Sequence, residues 1–559
     1  MKKYEILLLI FIFFLSCIVH LFPLVQYQIW GSDTGEYYIL TKRLVESAHL
    51  STEYDGWGFG YPYFPGMFII TGSCSILTGL ALFDALRYVI PILASLNAVF
   101  LFLIARKIFH TNSIAALSSI IMTVSMPSVF PTSHPMPGAI GDILFLMIFL
   151  VFLKTRENKK YYALAFLGIP AIALTHHLSA FLLFLSILCG MLLIHQYRKT
   201  QQHYLPYDLA LLLWCYIWFI MLWVFAGGSF REKIVKVGVL GVNPEYLAIF
   251  GFPFFLLLYL LLKNKWMRKI FVYRGKFLDA RKSIFRFLAC IAATTGLFTA
   301  MLFIPVPGTS ITLKPAILAL FFPLMLIYSF ALTGSKLADL FRDGIGTYGW
   351  VLGIAISLLV GIFVVPEVLI PYRHMEYLIV PLCIFSALGA VYIYRIVGNF
   401  KRNFGRAFLV FVAALCLLAI PSIYPDKSIM AGFQEGTSEI EFESVFWARE
   451  NSGVYATDHR MSSMLFGFGY VSATWDTTPE TFYGNNVSAT LEELKHAKAP
   501  HIEREVNYVL ITSDMKQGCA MSPLEPAVGI PPEVEEKFAN PPFVKIYDNG
   551  AVQIYSTGL

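Results

Sequence analysis

The chain has 559 residues, of which 57% are hydrophobic, 16% aromatic and only 14% charged. Soluble domains carry roughly a quarter charged residues, so a soluble protein is excluded, and a mean hydropathy of +0.66 fits repeated membrane crossings. The formal net charge of +6 is no sign of nucleic acid, because most basic residues fall in short loops between apolar runs, where they set orientation.

The first apolar run, Leu7 to Val25, follows Lys2 and Lys3 and lacks a small-residue cleavage site, so it reads as a retained signal anchor. Directly after it comes WGSDTGEYY, Trp30 to Tyr38, with Asp33 and Glu36 three residues apart. On a helix that spacing puts both carboxylates on one face. The plain alternative is a capped helix start, with Ser32 or Asp33 as N-cap and Glu36 as a first-turn acid. Residues 26–85 form a long first loop that holds this pair, an amphipathic stretch (TGEYYILTKRLVESAHL), a turn-rich segment (YDGWGFGYPYFPG) and an apolar run from Met67 to Leu82.

That run decides the topology. If it lies in the membrane interface, the spans after the anchor are Leu86–Ala105, Ile114–Phe130, Ile140–Leu153, Tyr161–Leu174, Leu178–Ile194, Leu209–Phe225, Tyr246–Leu262, Ile284–Ile304, Ala316–Leu332, Ile345–Val365, Tyr377–Tyr394 and Ala407–Ile420. The 42 Lys and Arg then divide 25 to 8 between cytoplasmic and external segments, with 9 in the tail. Making the run a span would turn nearly all of the 25 outward, against the positive-inside rule. The expectation is thirteen spans in the cell membrane, N-terminus cytoplasmic and C-terminus external.

On this topology the external junctions collect the unusual polar residues. PTSHPMPGAIGD carries His134 and Asp142, THHLS carries His176 and His177, a later junction carries Lys314, and PEVLIPYRHMEY carries Glu367, Arg373, His374 and Glu376. Ionisable groups at membrane depth are costly and usually face a cavity or a partner. Singly each has a bland reading: a histidine packs at a helix end, Arg373 snorkels, Asp142 caps a helix. Seven of eight cysteines lie in apolar segments, only Cys519 lies in polar sequence, and no CxxC or disulfide framework is present.

From Tyr424 the long apolar runs stop. Ile440–Glu450 reads as an amphipathic helix, Asn507–Ser513 as a buried strand, and VKIYDNGAVQIYS as a hairpin whose Asn549-Gly550 suits a type I′ turn. Asn486-Val-Ser488 is a glycosylation acceptor pattern. The fold class is thus a polytopic α-helical membrane protein with about thirteen spans, residues 1–423, followed by a small extracytoplasmic α/β domain, residues 424–559.

The signal anchor, the acid at the start of a long first loop, the interfacial apolar helix, the YPYFPG turn, the Arg-bearing loop before a late span and the C-terminal domain together resemble the GT-C superfamily. These are integral-membrane glycosyltransferases that use polyprenyl-phosphate sugars, and the resemblance covers roughly Met1 to Ile423. It implies that Asp33 is the first-loop acid, Asp142 the second-loop acid of the oligosaccharyltransferase branch, and Arg373 the donor-phosphate arginine. No WWDYG, the sequon-reading motif of oligosaccharyltransferases, is present; the nearest string is Thr474-Trp475-Asp476. That departure favours single-sugar transfer.

The chemistry fits the residues. Displacing a lipid phosphate from an anomeric carbon, with inversion, needs a base on the acceptor hydroxyl, for which Asp33 or Glu36 serves. It also needs cations on the phosphate, for which Arg373 offers a planar fork and His374, His176 and His177 offer donors. Two acids such as Asp33 and Asp142, or Glu36 in place of either, would alternatively hold Mg²⁺ or Mn²⁺. The expected partners are the lipid-linked sugar donor, a protein, lipid or glycan acceptor, and membrane lipids, with no nucleic acid. Two other readings stay open. One is oligosaccharide transfer from a lipid pyrophosphate; the other is a non-enzymatic transporter or flippase of lipid-linked glycans, for which midplane charges and internal repeats would speak.

Overall fold

The structure, a computed structural model, describes residues 3–58, 60–197, 203–222, 253, 256–257, 260, 280–305, 310, 312, 314–338, 340–341, 343–363, 369–426, 429, 435–500, 502–519, 521 and 527–559. Among the described residues, eight helices are long and apolar enough to cross a membrane: Lys3–Val25, Leu82–Phe109, Pro137–Lys154, His177–His195, Pro315–Ala338, Gly344–Phe363, Pro371–Phe400 and Arg402–Ser422. A ninth apolar stretch is a helix pair, Asn112–Thr123 and Met126–Thr132, bent by 62°, the geometry of a broken span or a re-entrant loop. The bend falls just before Pro127, which begins the second helix without an N–H to continue the ladder.

Shorter helices at Tyr161–Ala173, Leu205–Ile220 and within Ala280–Ala300 occupy three of the expected spans. The expected Tyr246–Leu262 span lies outside the described residues, apart from four of its positions. The run expected in the interface is the helix Gly66–Thr78, 13 residues or about 20 Å, short of a bilayer's ~30 Å. Tyr161–Ala173 is equally short, so length alone does not separate an interfacial helix from a crossing one; the charge distribution does. This is a multi-pass membrane protein. Its outer faces carry Leu7, Phe11, Leu167 and Val410, each more than half exposed, as a lipid solvent requires. Phe145, Phe149 and Trp350 stack in the bundle core.

Beyond the bundle the tail builds a five-stranded sheet in the order β4-β3-β7-β9-β8. β3 (Val454–Ala456) runs parallel to β4 (Ser472–Thr474) and β7 (Tyr508–Thr512), and β9 (Val552–Ser556) runs antiparallel to β7 and β8 (Val544–Asp548). The expected helix is Glu439–Glu450, started by a capping box between Ser438 and Glu441. The hairpin forms, but the type I′ turn does not. Only Gly550 has positive φ (88°), whereas type I′ needs it at both central residues; the Asn549 side chain instead accepts from the Ala551 and Val552 N–H groups. Cys519, for all its polar surroundings in sequence, is fully buried. Asn486 of the acceptor pattern is exposed and caps the helix Val487–Lys495.

The tail does not stand apart from the membrane part. β1 (Ile29–Trp30), directly after the anchor, pairs antiparallel with β2 (Gly436–Thr437). Ile29 packs in one apolar cluster with Phe442, Met461, Leu465 and Leu510.

Candidate active site

The chain leaves β1 through Gly31, whose φ of 118° only glycine adopts without strain, and enters the helix Thr34–Ser47. Asp33 sits at the N-cap position, yet its side chain makes no capping bond. One carboxylate oxygen accepts from the hydroxyls of Tyr61 (2.9 Å) and Tyr37 (3.4 Å). The other faces His459 Nε2 at 3.3 Å. The capped-helix alternative therefore explains where Asp33 lies but not what its carboxylate does. Burial pushes Asp33 up, but the His459 bond and charge, the Tyr61 hydroxyl and the Arg373 charge outweigh it and hold the carboxyl at about 2. Asp33 is thus ionised at any working pH, and about a third of its side chain (32%) is open to solvent.

Glu36 is a different case, only 2% exposed. It accepts from the Tyr54 hydroxyl, from Trp57 N at 3.2 Å and from Gly58 N at 3.3 Å. These bonds fold the aromatic segment back over the helix. Burial pushes its carboxyl up to about 7 even though the three donors pull it down. Of the two acids, Asp33 is the charged and open one, and Glu36 anchors the loop.

Arg373 ends a short turn, Pro371–Arg373, before the helix His374–Phe400. Ile370 ahead of it has φ 45°, a strained conformation for a β-branched residue and of the kind that gathers at functional sites. Its guanidinium bonds Tyr372 and lies close enough to Asp33 to favour the ionised form. His374, expected beside it on a phosphate, turns inward. It is fully buried and bonds Ser357 Oγ at 2.7 Å, so its place is in the packing of two spans. His176 is buried, with Nδ1 at 2.7 Å from Ser179 Oγ, and Ser179 continues to Tyr377 Oη at 2.6 Å. Tyr377 in turn bonds Asp142, and Glu376 senses the Asp142 charge. His177 packs against Phe64 of the YPYFPG turn, ring centroids 5.1 Å apart. Asp33, Arg373, His176 and Asp142 thus share one end of the bundle. Glu367 lies outside the described residues.

For a metal the donors fit poorly. Among the described residues no three His, Cys, Asp or Glu gather as a metal site would need. Asp33 is occupied by two hydroxyls and an imidazole; Asp142 bonds Tyr377 and keeps Oδ1 buried without a hydrogen-bond partner, which is one free donor and not a set.

Three contributors were not legible in the sequence. His459 comes from the tail, at the start of the helix His459–Met464. Glu435, also from the tail, accepts from Ser32 N at 2.6 Å beside Asp33. Tyr61, inside the aromatic turn, is a direct donor to Asp33. A histidine in Asp458-His459-Arg460 carries no local signal, because its partner lies more than 400 positions away.

No family profile matches the sequence, and no curated protein matches it either. Solved structures do match in fold. The oligosaccharyltransferase of Archaeoglobus fulgidus, tethered to an acceptor peptide containing an NVT sequon, superposes with a TM-score of 0.58 at 13% identity, covering 92% of this chain and 70% of the other. The same enzyme in complex with Zn and sulfate gives 0.54, again at 13% identity, covering 91% and 68%. ArnT of Cupriavidus metallidurans bound to undecaprenyl phosphate aligns over 100% of this chain and 98% of its own at 12% identity, with a TM-score of only 0.39.

Proposed function

From a chain that has the GT-C membrane glycosyltransferase fold, we propose an enzyme that transfers a sugar from a polyprenyl-phosphate donor to an acceptor hydroxyl, with inversion, at the end of the bundle where the first loop meets the tail. The acceptor oxygen attacks the anomeric carbon while the bond from that carbon to the phosphate oxygen breaks, its electron pair leaving with the lipid phosphate. Asp33 takes the acceptor proton. A carboxylate held so low is a weak base, but the hydroxyl becomes acidic as attack proceeds, so the transfer need only accompany it. Arg373 meets the charge that develops on the phosphate. The observation that carries this reading is the Asp33 carboxylate: ionised, partly open, positioned as an N-cap yet not capping, and within the field of Arg373. The topology that goes with it places this end and the C-terminus outside the cell.

The test is a transfer assay in membranes with labelled polyprenyl-phosphate sugars. Asp33→Asn keeps size and capping ability, since Asn caps about as well as Asp. A base cannot be replaced by an amide, so turnover should fall by roughly 10²–10⁴-fold with donor binding retained. An Asp33→Asn enzyme as active as the parent would refute the assignment. Oligosaccharide transfer to asparagine is the second reading. One observation favours it: Trp475, of the string nearest the sequon-reading motif, packs edge-on against His459 at 4.7 Å. Asn-x-Thr peptides in the same assay separate the two.

A further inference from the structure

We infer that His459 is a positioning residue for Asp33, supplied by the C-terminal segment, so that the site is complete only when that segment is docked on the first loop. This rests on Asp33 acting as proposed above. The imidazole faces the Asp33 oxygen that the tyrosines leave open, at 3.3 Å. That is long for a charge-assisted bond, though unliganded sites often show such distances and tighten with substrate.

What surrounds His459 leaves the ring little other freedom. Its helix begins on the Asp458 side chain, which accepts from Met461 N at 2.9 Å. The next residue, Arg460, is buried and forks onto Glu441 at 2.6 and 3.0 Å while donating to Gly436 O at 2.7 Å. Four residues on, Ser463 Oγ accepts from Glu36 N of the first-loop helix at 3.3 Å. Trp475 packs edge-on against the ring, centroids 4.7 Å apart. Asp33, Glu435 and Asp458 are charged groups that act on His459. One helix is therefore pinned both to the tail's own fold and to the first loop, and it presents a single donor to the proposed base. His459 holds the carboxylate's direction.

His459→Ala should lower kcat by roughly 10- to 100-fold, since a misplacement of about 1 Å costs up to ~10² in rate, with donor KM little changed. His459→Gln, whose amide N–H replaces the Nε2 donor, should recover most of it. On the Asp33→Asn background, His459→Ala should cost almost nothing more in kcat, whereas a loss that does not act through Asp33 would add. Thermal unfolding of each variant in detergent separates misfolding from misplacement. A parent-like His459→Ala beside a dead Asp33→Asn overturns this inference and spares the functional reading. Equal loss in His459→Ala and His459→Gln with unchanged melting also overturns it, as do additive losses in the cycle. A parent-like Asp33→Asn removes the reading on which it rests.

Discussion

Gly35→Ala tests the contact between loop and tail at its tightest point. Gly35 lies in the first turn of the helix Thr34–Ser47, where alanine should by itself help, by up to about 1 kcal/mol of helix propensity. The packing forbids it. A Cβ there would lie 1.8 Å from Ser463 O and 2.5 Å from Ser463 C, both backbone atoms of the helix that carries His459, and a contact under 3.0 Å is not tolerated. Gly467 faces back the same way, its own Cβ falling 2.0 Å from Gly35 O. The two segments must therefore separate from 1.8 Å to at least 3.0 Å at this point. Overpacking of this kind costs about 1–3 kcal/mol, which the propensity gain partly offsets, so stability should fall by no more than ~3 kcal/mol. The rate should suffer more, since a shift of about 1 Å between Asp33 and His459 is worth up to ~10²-fold. The expected signature is a modest drop in melting temperature with a large loss of transfer. Gly296→Ala is the control, because nothing lies within 4 Å of its added methyl. A Gly35→Ala enzyme with parental transfer would mean that the loop–tail contact does not position the site.

Other outcomes can be stated more briefly. Arg373→Lys keeps charge but loses the planar fork, so kcat/KM for the lipid-phosphate donor should fall by the equivalent of about 1.5–3 kcal/mol; a fully active Arg373→Ala would remove the phosphate role. Glu36→Gln leaves one acceptor oxygen for three donors, so melting should reveal a loss of about 1–3 kcal/mol with turnover less affected than in Asp33→Asn. The Glu36 carboxyl is raised to about 7 from an ordinary 4.5, so its neutral form is the stable one: its contribution is full below about 4.5 and is lost as pH rises through about 7. Melting of the parent should accordingly weaken across that window, and Glu36→Gln should flatten part of the change. For orientation, a cysteine at Ile502, 62% exposed, should react with an impermeant thiol reagent on intact cells; labelling only after lysis would reverse the expected topology.

The membrane part could be read because apolar length and loop charge are local properties. Of the twelve spans that can be compared, eleven fall on apolar helices and Ile114–Phe130 on the bent pair. What failed to show was whatever depends on distant partners. Asp33 and Glu36 look alike in WGSDTGEYY; burial and three donors from residues 54–58 make one of them a loop anchor. His374 neighbours Arg373 in sequence, but a helix turns successive side chains about 100° apart, which sends it to Ser357. His459 is invisible until the tail folds back.

That folding back also bears on how the protein is made. Ser32 donates to Glu435 across 403 positions, and at about 5–20 residues per second the ribosome needs roughly 20–80 s to supply the second partner after the first. Through that interval the Asp33 loop exists without its cover. On the function proposed above, the nascent chain is consequently silent until the last span is inserted and the tail is released.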